Sequence, residues 1–410
     1  MKSDLDRLMK DRHLDAMIVE GADGLSDVSA PWKYLTRGQK MTGFVVKKRG
    51  EPAQIIYHPM EQLQAEASGL ALVSFGRWDL KAIAKASATR LDAGVELWRQ
   101  IFRDLEVSGR VAWYGATEAS STIALIDALR KALPTVEIVG EYENSVIDAA
   151  RRTKDADEIA AMENVGRRTC DVVAGVVALL KSSKRRGNVI VDDKGWPVTI
   201  GMVKQFIRRE CDAGDLDVGE PIFAQGRDAG IPHAHGEPDA PLVVGEPIVF
   251  DIYPRCRRTG YHHDMTRTFV IGEPSDELRK VYDDVKYAFD TILGEYKAGE
   301  RCKQYQDRCC EIFKERGHAT VQEKWPLEEG YTHSLGHGLG LDVHEALAFS
   351  SFVDRGDTLE PGNVFALEPG LYYPSKNIGV RIEDTIVCDA DGTFRSITPF
   401  GHEWVIELDA

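Results

Sequence analysis

Four carboxylates and one histidine in the C-terminal part of the chain could together bind divalent metal ions. Oxygen-rich sites with a single imidazole suit hard or borderline divalent metals. Carboxylates crowded into one pocket repel one another, so cations must neutralise them. Two divalent cations would cancel four negative charges, and the pattern therefore predicts a two-metal hydrolytic site. The residues lie in three blocks: Asp251-Ile-Tyr-Pro with Gly260-Tyr-His-His-Asp264, His333-Ser-Leu-Gly-His337-Gly, and Glu368-Pro-Gly with Arg381-Ile-Glu383-Asp384.

The bulk composition narrows the class of protein. A length of 410 residues favours two domains, perhaps three. The net charge of −15 argues against a nucleic-acid partner, which would need a basic face. The longest apolar run, 172–180, is too short to span a membrane, and the first residues show no secretory signal. Seven scattered cysteines without a CxxC pair predict reduced thiols in a cytoplasmic protein.

Two regions differ in their sequence pattern. Residues 1–150 alternate between helix-like and strand-like segments, which predicts an N-terminal α/β domain. Within it we expect one helix over 82–105 and a hairpin joining 43–46 to 54–57. A long amphipathic helix starts near Arg151 with acidic residues in its first turn, so the second domain is placed at 151–410.

Strands are expected around the candidate ligands of the second region. Segments 248–252 and 268–271 bracket the aspartates, and 364–367 and 378–387 carry the glutamates. The basic segment 181–197 is expected to be a loop. The pattern predicts an antiparallel sheet with outer helices and acidic ligands on its inner face. Because strand residues alternate faces, Arg381 and Glu383 should point the same way.

These blocks resemble the metal-binding signature of the "pita-bread" metallopeptidases, which include methionine aminopeptidase, aminopeptidase P and prolidase. The resemblance covers roughly residues 150–410, with five ligand types in order. It implies an α+β fold in which a smaller α/β N-terminal domain precedes a C-terminal pita-bread (creatinase/aminopeptidase-like) domain. The complete ligand set argues against the creatinase-like branch, which shares the fold but hydrolyses without metal.

The resemblance also assigns roles to the ligands. Asp251 matches the aspartate that chelates one metal, and His337 and Glu368 match ligands of the other. Asp264 and Glu383 match the two bridging carboxylates. Glu368 also matches the base that takes a proton from the attacking water. We expect two divalent ions with manganese first, and cobalt, zinc or iron as alternatives, because these ligands discriminate poorly between metals.

Further residues near the blocks are candidates for catalysis. His233, in Ile231-Pro-His-Ala-His-Gly236, resembles a substrate-contacting histidine of the family, although His235 could replace it after a small shift in register. His344 resembles the histidine that stabilises the tetrahedral intermediate or passes a proton. Tyr372 and Arg381 resemble outer residues that hydrogen-bond the site, and Arg381 could bind a ligand carboxylate such as Asp264.

Other histidines receive lesser roles. His262 and His263 adjoin Asp264, but neighbouring strand positions face opposite sides, so both are predicted to be structural. His333 lies four residues before His337 and could support the ligands from outside.

The match to this family is imperfect in two places. The separation between Asp251 and Asp264 is slightly longer than in most members, which we interpret as a longer hairpin loop that keeps both ligands on one face. Many prolidases carry an arginine after the equivalent of His344-Glu345 that holds the substrate's carboxylate. Here the stretch is Ala346-Leu-Ala-Phe-Ser-Ser, and only Arg355 lies nearby in sequence.

The sequence therefore predicts a metallopeptidase that hydrolyses Xaa-Pro bonds through a dinuclear metal-bound hydroxide, of the prolidase or aminopeptidase P type. Its partner would be a small peptide substrate, with a homodimer expected by resemblance. Two alternatives stay open. One is a lyase that uses the same site on a small sulfonium compound such as dimethylsulfoniopropionate. The other is an inactive, peptide-binding relative.

Overall fold

The computed structural model describes residues 4–21, 28–115 and 118–409. The chain divides into two compact units, residues 1–151 and 152–410. Within the described ranges, no helix combines the length and the apolar character that crossing a membrane requires. The seven cysteines are buried free thiols.

The first unit is built on one mixed sheet with the strand order β4-β3-β2-β1-β5-β6. Its strands are β1 (Ala16–Glu20), β2 (Gly43–Lys48), β3 (Gln54–Tyr57), β4 (Ala71–Ser74), β5 (Gly109–Gly115) and β6 (Val136–Val139). Its helices are α1 (Leu5–Asp11), α2 (Ala30–Thr36), α3 (Gln62–Ser68), α4 (Leu80–Ala86), α5 (Arg90–Asp104), α6 (Ala119–Ala132) and α7 (Val146–Arg151). The predicted hairpin is confirmed, because β2 and β3 pair antiparallel.

The helix predicted over 82–105 is two helices, so that prediction is wrong. Helix α4 ends at Ala86 and α5 begins at Arg90. The Thr89 side chain accepts a hydrogen bond from the Asp92 amide, and the Asp92 carboxylate accepts one from the Thr89 amide. This reciprocal cap starts a new helix where the apolar periodicity alone suggested continuation.

The second unit places helices outside two sheets whose strands are antiparallel, except that β21 (Val405–Ile406) pairs parallel with β13 (Met265–Ile271). Its helices are α8 (Ala156–Lys181), α9 (Ile200–Ala213), α10 (Asp276–Glu295) and α11 (Cys302–Glu315). Helices α8 and α9 share one apolar core with the strands that carry Phe250 and Phe269. Helices α10 and α11 share another with the strand that carries Phe365. Helix α8 begins at Ala156 rather than near Arg151, because Asp155 and Glu158 form a reciprocal cap there.

The strands of this unit are short and lie mostly in two sheets. One sheet has the order β10-β11-β13-β21 and the other has the order β15-β14-β16-β19-β20. The strands are β7 (Lys184–Arg186), β8 (Val189–Val191), β9 (Leu216–Asp217), β10 (Ile222–Gln225), β11 (Pro247–Ile252), β12 (Arg255–Cys256), β13 (Met265–Ile271), β14 (His337–Gly338), β15 (Glu345–Ala348), β16 (Val364–Leu367), β17 (Gly370–Tyr373), β18 (Ile378–Arg381), β19 (Asp384–Cys388), β20 (Phe394–Ser396) and β21 (Val405–Ile406).

Two local predictions in this unit are wrong. The segment 181–197 contains the hairpin β7–β8 rather than only loop, with exposed basic side chains on β7. The strand predicted over 378–387 is interrupted, because β18 ends at Arg381 and β19 begins at Asp384. At the interruption Glu383 pairs with Thr266 of β13, so this break joins the two sheets.

Candidate metal centre

The two candidate aspartates come from neighbouring strands of one sheet. Strands β11 and β13 pair antiparallel, with Asp251 opposite Thr266 and Ile252 opposite Met265. Asp264 immediately precedes β13. It lies two residues before Thr266, so the two side chains point to the same face of the strand. Directly opposed residues of antiparallel strands share a face, so Asp251 and Asp264 project to the same side as diagonal neighbours. The longer loop between them does not turn either ligand away.

The two candidate glutamates come from the other sheet in the same way. Strands β16 and β19 pair with Leu367 opposite Asp384. Continuing that register by one residue sets Glu368 opposite Glu383. The Glu383 backbone also exchanges hydrogen bonds with Thr266, at 3.0 and 3.3 Å. The inter-sheet bridge therefore brings the glutamates to the aspartates.

His337 lies between Gly336 and Gly338, two positions at which any side chain would clash with neighbouring backbone. A Cβ on Gly336 would lie 1.9 Å from the Ala366 carbonyl oxygen, and one on Gly338 would lie 1.8 Å from the Ala346 carbonyl oxygen. Such contacts are far inside van der Waals distance. Glycine on either side therefore lets the strand carrying His337 approach its two neighbours closely.

Three of the predicted ligands meet in one place. Ligand atoms of Asp264, His337 and Glu383 all lie within 4.8 Å of one another, and these residues could hold a metal ion. His337 Nε2 is 3.8 Å from Asp264 Oδ2 and 3.7 Å from Glu368 Oε1. Glu368 therefore adjoins the group, whereas Asp251 contacts it through an arginine.

Arg381 binds Asp251, not Asp264, so the suggested partner is corrected. Its Nη2 is 2.5 Å from Asp251 Oδ2. Its Nε donates to the Thr266 hydroxyl at 3.1 Å, and that hydroxyl donates to Glu383 Oε2 at 2.7 Å. The prediction that Arg381 and Glu383 share a face is confirmed, because both contact the same hydroxyl. The register explains the choice of partner, since Asp251 stands opposite Thr266.

Tyr372 and His333 extend this network. The Tyr372 hydroxyl accepts a hydrogen bond from Arg381 Nη1 at 2.9 Å and lies 2.8 Å from His333 Nε2. His333 Nδ1 is 4.0 Å from Glu368 Oε2. Arg381 Nη1 also donates to the Pro232 carbonyl, at 3.2 Å, which positions the segment carrying His233.

The electrostatics of the cluster call for added positive charge. Burial, and then neighbouring carboxylates, raise the pKa of Asp264 and of Glu383 well above their usual values. Burial also raises the pKa of Glu368 to about 8, against the opposing effect of Arg381. One arginine is too little positive charge for four buried carboxyl groups.

The donor atoms fit divalent cations. Asp251 Oδ1 and Asp264 Oδ1 are buried and have no hydrogen-bond partner within the described part of the chain. Such atoms are costly unless something binds them. Burial, and then His344, lower the pKa of His337 to about 4, so its imidazole is neutral and able to act as a ligand. Carboxylate oxygens and one neutral imidazole form a suitable donor set for these ions.

The remaining predicted histidines divide into two groups. His344 packs against His337 with ring centroids 4.3 Å apart, and both His233 and Asp251 act on it electrostatically. His233 and His344 are solvent-exposed, as a substrate contact requires.

His262 and His263 point elsewhere, as expected for structural residues. His262 Nδ1 lies 3.0 Å from the Tyr253 carbonyl oxygen. His263 is fully buried, with its Nε2 3.2 Å from the Thr398 hydroxyl.

Threonine side chains support the site, a role that was not predicted from the sequence. The Thr268 hydroxyl donates to the Arg381 carbonyl at 3.0 Å and accepts from its amide at 2.9 Å. The Thr385 hydroxyl bonds the Asp264 backbone in both directions. The alternation Asp264, Thr266, Thr268 was a usable signal, because it predicts one shared face.

Comparisons with known proteins agree with this architecture. Residues 160–390 match the model of metallopeptidase family M24. The probable dipeptidase PepE of Mycobacterium tuberculosis is 28% identical over 355 residues, covering 85% of this chain and 86% of that protein. The Xaa-Pro dipeptidase of Pyrococcus furiosus is 28% identical over 272 residues, covering 66% and 65%.

A solved structure of an Xaa-Pro dipeptidase from Bacillus anthracis superposes with a TM-score of 0.76 at 21% identity, covering 99% of each chain. This likeness confirms the predicted α+β pita-bread fold. The family model spans more than half of the chain and includes every residue of the candidate centre. The chain belongs to metallopeptidase family M24, whose members depend on divalent metal ions.

Proposed function

We propose that this chain is an Xaa-Pro peptidase whose reaction takes place at a two-metal centre. The carrying observation is the group of buried carboxyl groups at Asp264, Glu368 and Glu383, which lacks matching positive charge. The relative from Pyrococcus furiosus is named for action on Xaa-Pro substrates. Its name supports a substrate class, and the local geometry supports a hydrolytic site.

Each residue has a role that follows from its position. Asp264 and Glu383 would bridge two ions, Asp251 would complete one site, and His337 with Glu368 would complete the other. Bound divalent cations supply Lewis-acid activation of water and of the scissile carbonyl. Manganese is the first candidate, with cobalt, zinc or iron as alternatives.

One ligand and several surrounding residues have roles in proton transfer and orientation. Glu368 accepts the proton of the attacking water, since its carboxylate faces the centre beside His337. His344 and His233 are exposed imidazoles at the mouth of the site, suited to donate hydrogen bonds to the substrate. Arg381 and Tyr372 hold Asp251 and His333 in place.

Peptide length depends on what binds the C-terminal carboxylate of the substrate. The stretch 346–351, where many prolidases provide an arginine, contains no cationic side chain, and Arg355 is exposed on the following loop. We therefore expect a tripeptide to be cleaved better than a dipeptide. The homodimer and the cytoplasmic location stay predictions.

The test is turnover by protein reconstituted separately with each of the four metals. Substrates are Ala-Pro, Ala-Pro-Ala, Ala-Ala-Ala and dimethylsulfoniopropionate. We expect Ala-Pro-Ala to be hydrolysed at least about tenfold faster than Ala-Ala-Ala, within the discrimination that a shaped pocket provides. Cleavage of the sulfonium compound without peptide hydrolysis would overturn the proposal in favour of a lyase.

Histidine variants test the assigned roles. His344→Ala should retain its metal and lose about 10²- to 10⁴-fold in kcat/KM, the usual range for a proton-transfer group. His233→Ala should also reduce kcat/KM, whereas His235→Ala, two positions away, is the matched control with little effect. A larger loss in His235→Ala than in His233→Ala would transfer the role to His235.

A further inference from the structure

A cavity of about 370 Å³ lies beside the candidate metal centre. His333 and His337 line one side of it, so the cavity and the centre share a wall. Much smaller cavities, of about 150 Å³, can hold a benzene ring when their walls are apolar. The space is therefore large enough for a bulky side chain next to the reacting bond.

Apolar side chains also line the cavity. Val321, Leu347 and Phe349 are among them, and each is at most 3% exposed. Leu347 has a φ of 98°, a region that leucine rarely adopts. Strained backbone of this kind concentrates where a binding site is shaped.

Two aromatic side chains stand at the rim. Trp325 is 69% exposed and Phe352 is 57% exposed, although large aromatic side chains are usually well buried. Their rings meet edge to face with centroids 5.5 Å apart. They come from separate loops, yet together they form an apolar surface at the cavity, the arrangement expected where an apolar group binds.

The lining carries no free charge among the residues that the structure describes. Glu345 is the one carboxylate among the described lining residues, and it is held by Lys154 Nζ at 3.0 Å and by the Leu341 amide at 2.7 Å. In the described part of the chain, no arginine or lysine lines the cavity. A charged side chain would therefore be desolvated without a partner, which disfavours its binding.

One polar atom is left over on the wall. The Thr332 hydroxyl is buried and has no hydrogen-bond partner in the described ranges. A peptide ligand carries amide groups that could satisfy it. The cavity thus combines buried apolar side chains with several polar groups, among them Thr332, Ser334 and Ser350, and such a mixture is typical of a ligand pocket.

We propose that this cavity is a specificity subsite for an apolar, preferably aromatic, side chain of the peptide substrate, with Trp325 and Phe352 as its determinants. The inference rests on the proposed peptidase function and adds a side-chain preference to it. It also predicts that acidic side chains are rejected at the same position.

The test compares Ala-Pro-Ala with peptides that change one position at a time: Phe-Pro-Ala, Ala-Pro-Phe, Asp-Pro-Ala and Ala-Pro-Asp. In the wild type, kcat/KM for one phenylalanine peptide should exceed that for Ala-Pro-Ala by about tenfold or more. In the double variant Trp325→Ala with Phe352→Ala this ratio should fall to within about threefold of unity. Both side chains are exposed, and an unchanged thermal midpoint will verify folding.

The matched control is Trp196→Ala, because Trp196 is 67% exposed but does not line the cavity. It should keep the wild-type ratio. A second readout uses metal-free protein, which does not cleave, and measures the Kd of the same peptides by calorimetry. The phenylalanine peptide should bind at least about fivefold more tightly to wild type than to the double variant.

The outcomes separate the two proposals. If Xaa-Pro peptides are hydrolysed but the double variant keeps the wild-type aromatic preference, the subsite is wrong and the peptidase proposal stands. If no peptide is hydrolysed but the binding preference depends on Trp325 and Phe352, the peptidase proposal fails and the cavity remains a side-chain subsite for a bound peptide. A wild type without aromatic preference in either readout overturns the subsite.

Discussion

Two groups of buried charge lie side by side in the second unit, and consecutive residues enter different groups. Glu383 joins the metal-centre cluster of Asp251, Asp264, Glu368 and Glu383. Asp384 joins a salt bridge with Arg267, whose atoms lie 2.8 Å apart while both side chains are at most 4% exposed. Strand alternation sends the two neighbours to opposite faces. The groups therefore share a backbone but not an environment.

The Arg267–Asp384 pair is fully satisfied. A guanidinium has five N–H donors, and Arg267 makes five hydrogen bonds, four of them to backbone carbonyl oxygens and one to Asp384. The other Asp384 oxygen accepts from the Ser396 hydroxyl at 2.7 Å. Its charges and lone pairs have partners within the chain, so this pair holds the structure and needs no ligand.

The metal-centre cluster is the opposite case. It has one arginine, raised carboxyl pKa values, and buried oxygens of Asp251 and Asp264 that lack partners among the described residues. Two neighbouring buried charge groups thus differ in whether their partners come from the chain. A group that the chain leaves incomplete is the one adapted to bind something else.

The largest effect is expected from Asp264→Asn, which keeps the side-chain shape but removes a carboxylate that we propose bridges the two metal ions. Bound metal should fall to a small fraction of the wild-type content. Peptide hydrolysis should fall at least about 10⁴-fold, roughly 5.5 kcal/mol in activation free energy. Metal analysis after desalting and kcat/KM measure the two losses.

The metal-free forms provide a further check on this variant. Metal-free Asp264→Asn should unfold at the same or a higher urea concentration than metal-free wild type, because a repulsive charge is gone. Asp193→Asn, whose carboxylate is 89% exposed, serves as the control and should change neither quantity. Equal metal content in Asp264→Asn and wild type would contradict the bridging role.

Breaking the satisfied pair should cost stability instead. Arg267→Met leaves Asp384 buried without its cation, which should lower the free energy of unfolding by about 3–5 kcal/mol. Adding Asp384→Asn to that variant should recover part of the loss, because the orphaned charge is removed. Urea unfolding measures both.

An exposed ion pair provides the control for this experiment. Arg258 lies 2.8 Å from Asp215, but its side chain is 81% exposed. Arg258→Met should cost no more than about 1 kcal/mol. If Arg267→Met cost as little, burial would not distinguish the two pairs.

The smallest effect is expected at another buried carboxylate, Asp284 on α10. Burial would raise its pKa, but hydrogen bonds from Lys280, His318 and Arg316 outweigh burial and hold the pKa below its usual range. The pKa of Glu368 shifts in the opposite direction, because the two carboxyl groups differ in the hydrogen-bond donors around them. Asp284→Asn should lower the free energy of unfolding by about 1.5–2 kcal/mol near neutral pH.

The pH dependence of that loss has a defined sign. A carboxyl whose pKa is lower in the folded state stabilises the protein above its unfolded pKa, about 3.9 for aspartate, and loses this contribution as the pH falls through the folded pKa. The difference between wild type and Asp284→Asn should therefore shrink between about pH 4 and pH 2. Asp290→Asn is the control, because Asp290 makes the same i,i+4 contact on the same helix but is 56% exposed. A difference that grows on acidification would contradict this account.

Local patterns in the chain were enough to predict much of the architecture. The hairpin of β2 and β3, the long helix α8 and the strand β16 follow from periodicity and turn residues, which act between near neighbours. The candidate ligands were identifiable by type and order. The shared face of Arg381 and Glu383 followed from strand alternation. Each of these depends on residues a few positions apart.

Contacts between distant segments could not be read in that way. The choice of Asp251 over Asp264 as the partner of Arg381 depends on the register of β11 against β13. The break before Asp384 depends on a bridge to the other sheet.

The sequence alone thus determined which chemical groups are present and in what order, because residue type and the alternation of side chains along a strand are local properties. Which carboxylate meets which cation, and that two aromatic side chains from separate loops meet at one cavity, were set by tertiary folding. These outcomes depend on register, loop closure and competition for burial, which involve the whole unit at once.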